Sequence, residues 1–150
     1  MQPATERLNR DQKRQVSTTM VLVDESLALC KRLLRQGSKQ GLLYTLQDDL
    51  SPSQKACLWS HLQKMHDVLS QLDGEWRLTH RVSSLTREIA GELSYLWIII
   101  EECASHRLRG YGPVDGSLKA ELDPRLLQLI ESIRAIEHIM GRPEQVIKVR

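Results

Sequence analysis

Five residues in the second half of the chain have side chains that could do chemistry. They are Glu92, His106, Arg107, Arg109 and Tyr111. A carboxylate inside a helix can bind a metal ion or a polar ligand, and imidazole, guanidinium and phenol groups beside a glycine-rich loop can contact phosphate or a protein partner. This region is therefore the candidate site, and its geometry depends on the helix predicted over residues 75–108.

Glu92 interrupts a row of apolar residues on that helix. A strict alternation of three and four residues from Ile89 reaches Glu92, and a buried carboxylate there would bind a ligand or a metal ion. A row that drifts around a straight helix passes through Leu93 instead and leaves Glu92 at its edge. No acidic residue has a His three positions later, the spacing that di-iron bundles use. We therefore predict no metal and no cofactor, and a metal-binding bundle is only the second alternative.

The end of this helix and the loop after it read Ser105-His106-Arg107-Leu108-Arg109-Gly110-Tyr111. This segment resembles a helix end of the HEPN family of helical ribonucleases and toxins, in which an Arg-polar dipeptide precedes a His by four to six residues and Gly-Tyr often follows. The resemblance implies a nucleic-acid-acting or ligand-binding bundle that uses this helix exit. Arg109 stands where the family has its catalytic His, so no catalytic residue carries over.

A second interpretation of the same residues needs no ligand. Tyr111 would pack the loop onto the end of the bundle, and Arg107 and Arg109 would complement the negative C-terminal end of the helix dipole. Both interpretations remain open on the sequence alone.

Apolar residues spaced alternately three and four apart occur in four stretches of the chain. The first stretch comprises Val16, Met20, Val23, Leu27, Cys30 and Leu34, and the second comprises Leu58, Leu62, Met65, Leu69 and Leu72. The third comprises Val82, Leu85, Ile89, Leu96, Ile99 and Cys103, and the fourth comprises Leu126, Leu129, Ile133, Ile136 and Met140. Helices with one apolar stripe must bury that stripe against one another. The sequence therefore predicts an all-α fold, an up-and-down four-helix bundle in one domain over residues 1–150.

Capping and turn residues set the predicted boundaries. The predicted elements are a helix ending at 36, an extra short helix over 41–50, a helix over 52–72, a helix over 75–108, a long loop over 109–122 and a helix over 123–140. Ser51-Pro52 and Asp123-Pro124 each combine a favoured N-cap residue with Pro at the first helical position, and Gly37 and Gly141 stop their helices.

The two ends of the chain lack the apolar spacing. Residues 1–15 are predicted to be either a loose, frayed tail or a projecting arm that docks on a second subunit or partner. Residues 142–150 are predicted to form a tail.

Trp97, Ile98 and Ile99 make the middle of the third predicted helix apolar on almost every side. A four-helix bundle has no central helix, so we expect a neighbouring subunit to cover these residues. The alternative cover is the short segment before the second helix, or the C-terminal tail. The first interpretation predicts a homodimer or a larger homo-oligomer with this helix in the interface.

The composition of the chain limits which partners and which cell compartment we expect. The chain has 21 basic and 19 acidic residues, a net charge of +2, which argues against nucleic acid as the main partner. The N-terminus has no apolar signal region, and no apolar run approaches the roughly 20 residues of a membrane span. Three widely spaced cysteines fit a reducing compartment. We therefore expect a cytoplasmic protein with no membrane partner.

Neither a Ser/His/Asp nor a Cys/His arrangement can be recognised in the sequence, so no catalytic residue is predicted. The leading hypothesis is a non-catalytic helical bundle that acts through self-association and protein–protein contacts. The alternative is the HEPN-like bundle that uses the helix exit.

Overall fold

The computed structural model describes residues 7–141, and 72% of them are helical. The predicted all-α class is confirmed, and the helices are roughly consistent with the four-helix pattern. The chain divides into two compact units, Met1–Val82 and Ser83–Arg150, which are described separately. The prediction of a single domain stays a prediction, and the predicted tail over 142–150 lies outside the described residues.

The first unit begins with helix α1, Arg10–Gln36. Asn9 caps it because its side chain accepts from the Gln12 backbone N–H at 2.8 Å, while the Gln12 side chain accepts from the Asn9 N–H at 3.0 Å. Residues 10–15, predicted as a frayed or projecting arm, are continuous with the rest of this helix. The Arg7 guanidinium lies 5.7 Å from the centre of the Trp76 ring. Residues 1–6 of the predicted arm lie outside the described residues.

A hairpin replaces the extra short helix that the sequence predicts over 41–50. Strands β1, Lys39–Gln40, and β2, Thr45–Leu46, pair antiparallel, and the Gly41 N–H donates to the Tyr44 carbonyl at 2.8 Å. Leu42 and Leu43 lie almost fully exposed between the strands. The short-helix prediction is wrong because these leucines find no surface to bury against, and because the Tyr44 ring packs where a Cβ of residue 41 would be.

Helix α2, Pro52–Trp76, starts as predicted and ends later than predicted. Ser51 caps it, with its hydroxyl accepting from the Gln54 N–H at 3.1 Å. The predicted end at residue 72 is wrong because the helix continues through Gly74 to Trp76, and its C-cap residue Arg77 has φ of 50°. Helices α1 and α2 pack against each other around the buried Leu27.

A segment without helix or strand follows α2 over 77–84, and side chains hold its residues 77–82 within the first unit. The Thr79 N–H donates to the buried Ser17 hydroxyl of α1 at 2.9 Å, and Arg81 forms an ion pair with Glu25. This segment breaks the single helix predicted over 75–108. Periodicity could not show the break because both partners lie more than 50 residues earlier in the chain.

In the second unit, three separate helices replace the rest of the helix predicted over 75–108. They are α3, Leu85–Ser94, α4, Leu96–Glu101, and α5, Ser105–Leu108. Ser84 caps α3, accepting from the Arg87 N–H at 3.2 Å, and the Ser94 hydroxyl donates to the Gly91 carbonyl at 3.1 Å beside the break. A serine that bonds back to the preceding turn competes with the helical hydrogen bonds and favours such a break.

The rest of the second unit packs on one long helix. A single 3-10 turn, Arg109–Tyr111, and helix α6, Leu118–Glu121, shorten the loop predicted over 109–122, and helix α7, Asp123–Met140, follows. Helices α3, α4 and α6 pack on α7, whose Ile130 and Ile133 are buried. The predicted end at Gly141 is confirmed. None of the helices between residues 7 and 141 has the length and apolar character needed to cross a membrane.

Candidate functional site

A pocket of about 700 Å³ lies at the junction of α5, α6 and the start of α7. The turn after α4 and the 3-10 turn after α5 bring His106 and Arg109, two residues of the candidate site, into its wall. Lys119 of α6 lies in the same wall, and the loop 112–116 closes one side.

Two hydrogen bonds between Asp123 and Ser105 fix the floor of this pocket. The Ser105 N–H donates to Oδ1 of Asp123 at 2.8 Å, and the Ser105 hydroxyl donates to Oδ2 at 2.7 Å. The prediction that Asp123 caps its own helix is therefore wrong: Asp123 is the first residue of α7, and its carboxylate holds the start of α5 instead. The Asp123 carboxylate could accept from free backbone N–H groups at the start of α7 or at the start of α5. At α5 it also accepts from the Ser105 hydroxyl, a second donor that the start of α7 does not provide.

The charge of Asp123 is stabilised within this arrangement. The two hydrogen bonds from Ser105 hold the pKa of the Asp123 carboxyl below its usual value, and the charges of His106 and Lys119 act in the same direction. Asp123 therefore stays ionised and balances part of the positive charge in the pocket wall.

Asp115 shapes the loop that closes the pocket. Its Oδ1 accepts from both the backbone N–H and the hydroxyl of Ser117 at 2.8 Å, and these bonds lower the pKa of the Asp115 carboxyl. Gly112 has φ of 141°, a conformation that residues with a side chain rarely adopt. The Asp115–Ser117 turn therefore orders this loop, and Gly112 permits its positive φ.

The lining of the pocket combines positively charged side chains with one serine hydroxyl, that of Ser105. Ser105 is buried, and its hydroxyl donates to the Asp123 carboxylate, which is a weak base because its pKa is lowered by the hydrogen bonds from Ser105. Arg109 and Lys119 supply positive charge beside the Ser105–Asp123 contact that forms the floor of the pocket. An anionic group of a small ligand could bind between them.

The other residues of the predicted site lie elsewhere. Arg107 and Tyr111 are exposed and do not line the pocket, and Tyr111 is 90% exposed. The interpretation in which Tyr111 packs the loop onto the bundle end is therefore wrong. Glu92 is exposed on α3, as the drifting row requires. The interpretation of Glu92 as a buried carboxylate is wrong because the partly covered side of α3 carries Leu93, about 100° around the helix from Glu92. Residues 7–141 hold no cluster of metal-binding side chains.

The residues predicted for a subunit interface form an exposed apolar surface on α4. Trp97, Ile98 and Ile99 are 37%, 47% and 41% exposed, and the neighbouring Tyr95 and Leu96 are exposed as well. The five consecutive residues Tyr95–Ile99 are called the α4 surface below.

Sequence reasoning missed three pocket residues, Ser105, Lys119 and Asp115. Asp-Gly-Ser at 115–117 is a recognisable turn signal, so Asp115 could have been identified as a loop-forming residue. Nothing local marks Ser105 or Lys119, because their roles depend on contacts made across the pocket. Comparison of the chain with protein-family models, with curated proteins and with solved structures found no match.

Proposed function

We propose that this chain is a non-catalytic helical protein that acts by associating with further copies of itself through the α4 surface. The observation that carries the proposal is the exposure of Tyr95–Ile99, each residue at 37% or more. Successive helical residues are about 100° apart, so five of them surround the helix. Packing against α7 covers part of α4, whose Ile100 is only partly exposed, and leaves Tyr95–Ile99 open to a partner.

Helix α7 extends the apolar surface of the second unit. Leu129 and Ile136 are seven residues apart, so they lie on one side of α7 beside its buried row, and both are exposed. Monomeric proteins rarely expose large contiguous apolar patches, and most soluble oligomers consist of identical subunits. A second copy is therefore the partner that we propose.

Light scattering on the full chain tests this proposal. We expect an oligomer at micromolar concentration and a shift toward monomer in Ile98→Glu, because burial of a charge in an apolar interface is costly. Leu42→Glu is the matched control, since Leu42 is almost fully exposed on the hairpin of the first unit. A wild-type monomer with full helix content, or an unchanged mass for Ile98→Glu, would contradict the proposal.

The pocket supports a second candidate function, the binding of a small phosphate-bearing ligand between Arg109 and Lys119. We expect pyrophosphate to bind the wild-type chain in a calorimetric titration and binding to weaken in Arg109→Ala and Lys119→Ala. Arg107→Ala is the matched control, because Arg107 neighbours the pocket without lining it. Equal affinities for all four proteins would exclude this function.

A further inference from the structure

Helix α1 carries an outer row of residues beside the row that packs against α2. The outer row comprises Gln15, Thr19, Leu22, Ser26, Leu29 and Leu33, which are again spaced alternately four and three apart. All six residues are exposed, and Leu22, Leu29 and Leu33 are 57%, 44% and 41% exposed. A helix with two such rows has an apolar arc wider than one neighbouring helix can cover.

Charge is absent from the outer row. Between Gln15 and Leu33 the charged residues of α1 are Asp24, Glu25, Lys31 and Arg32, and the helical period places them on the rest of its circumference. Depletion of charge is characteristic of the buried centre of protein interfaces. The outer row therefore has the composition of an interface.

The polar members of the row cost little to bury. The Thr19 hydroxyl donates to the Gln15 carbonyl at 3.0 Å, which satisfies its hydrogen in the helix itself. An apolar cleft of about 390 Å³ separates this row from α2, with Leu22, Ser26 and Cys30 on one wall and Leu62 and Met65 on the other. The cleft gives a partner's side chains a place to insert.

When two copies of the outer row are placed antiparallel, the large residues of one copy face the smaller residues of the other. With a two-fold axis near residue 24, Leu22 faces Ser26 of the second copy, Leu29 faces Thr19, and Leu33 faces Gln15. Each leucine then meets a smaller or flexible residue, whereas a parallel pairing would set Leu22 on Leu22 and Ser26 on Ser26. A self-complementary row is what a two-fold interface between identical chains requires.

The α2 side of the cleft continues the same surface. Leu58, Met65 and Val68 are exposed, and Leu58 and Met65 are seven residues apart, so they share a face. The combined face is about 27 Å long and about two helices wide, roughly 500 Å² per copy. Two copies would bury roughly 1,000 Å², the lower bound for a specific interface.

We propose that the outer row of α1 pairs antiparallel with the same row of a second copy, so that two α1–α2 hairpins form one four-helix bundle. This inference rests on the proposed self-association and assigns it a second surface, distinct from the α4 surface. With both surfaces engaged, each copy contacts two others.

A charge-pair experiment on the full chain tests the pairing. Leu29→Lys should raise the dimer dissociation constant at least tenfold in analytical ultracentrifugation, because two lysines would face Thr19 of the opposite copy. Thr19→Glu/Leu29→Lys should restore the constant to within threefold, since each Lys then meets a Glu. Residues 19 and 29 are about 15 Å apart along one helix, so the rescue cannot arise within one chain.

Cysteine cross-linking keeps the inference testable if Leu29→Lys loses helix content. In a Cys30→Ser/Cys57→Ser/Cys103→Ser background, chains with Leu22→Cys and chains with Ser26→Cys should form mixed disulfides in excess of homodimers. An unchanged constant for Leu29→Lys, no rescue by the double variant, or mixed disulfides that do not exceed homodimers would overturn the pairing. If Ile98→Glu dissociates the oligomer and Leu29→Lys does not, the inference fails while the proposed function stands, and the reverse result removes the α4 surface instead.

Discussion

Asp123 accepts two hydrogen bonds from Ser105, which lies 18 residues earlier in the chain, and so joins the start of α7 to the start of α5. The contact uses both oxygens of one carboxylate and both donors of one serine. It is the link that holds the short helix bearing His106 against the long helix of the second unit.

This contact predicts a loss of stability in acid. The folded pKa of Asp123 is below its unfolded value, chiefly because of the Ser105 hydrogen bonds. The contribution is therefore complete above the unfolded pKa, near 3.9, and is lost as the pH falls from there through the folded pKa. Asp123→Asn should lower the melting temperature at pH 7, and its deficit should shrink as the pH approaches 3.

Glu131→Gln is the matched control for this measurement, because it removes one exposed carboxylate from the same helix. Thermal unfolding followed by circular dichroism between pH 7 and pH 3 provides the readout. A deficit for Asp123→Asn that stays constant across this range would show that its charge does not stabilise the contact.

The sequence predicted the long helices of the first unit well because local signals determine them. The first apolar stretch, from Val16 to Leu34, lies within α1, and the helix start predicted at Ser51-Pro52 is the start of α2. Apolar spacing and capping depend on residues a few positions apart, so the sequence of the segment itself is enough to predict the helix. The hairpin at 39–46 was missed because Leu42, Leu43 and Leu46 have a helical spacing, while Leu42 and Leu43 have no surface to pack on.

The break in the third predicted helix could not be read from local signals. Residues 77–82 are held in a segment without helix or strand by Ser17 and Glu25, whose approach to Thr79 and Arg81 exists only in the folded unit. The same limit applies to the site. His106 and Arg109 were found by residue type, whereas Ser105 and Lys119 join the site only through tertiary contacts.

The hydrogen bond from Thr79 to Ser17 should contribute measurably to the stability of the first unit. Ser17→Ala removes the buried acceptor, which should cost about 1 kcal/mol relative to a Ser→Ala change without such a bond. Ser60→Ala, at an exposed position of α2, is the matched control and includes the same gain in helix propensity. Urea unfolding gives the difference, and hydrogen exchange of the Thr79 amide should quicken in Ser17→Ala. Equal stabilities for the two variants would contradict the role of this bond.

Two isoleucines of α7 should differ sharply in their contribution to the second unit. Ile133 is 6% exposed and Ile139 is 61% exposed. Ile133→Ala should cost about 2–5 kcal/mol, since it leaves a cavity beside the helices that pack on α7. Ile139→Ala should cost less than about 1 kcal/mol. Denaturant unfolding at a concentration where the chain is monomeric measures the free energy of unfolding of the two variants. Similar losses for both would contradict the packing described for α7.

The final prediction concerns two cations that lie over one aromatic ring. Arg35 and Lys31 of α1 lie 5.0 Å and 5.7 Å from the centre of the Trp59 ring of α2. Arg35→Gln should cost about 0.5–1 kcal/mol, because a guanidinium over a half-exposed indole face is attracted by its quadrupole. Arg32→Gln removes the same charge one turn earlier and controls for the loss of a positive charge from α1, while Arg35 is the basic residue of the last turn, where the helix dipole acts.

A double-mutant cycle isolates the ring contact from the dipole. In a Trp59→Leu background Arg35→Gln should cost less than it does in the wild-type chain, because the aromatic partner of the guanidinium is gone and only the contribution of the dipole is lost. Urea unfolding of the four proteins of the cycle gives the coupling free energy. A cost for Arg35→Gln that is the same with and without Trp59 would assign the effect to the dipole of α1, and the contact with Trp59 would then contribute only packing.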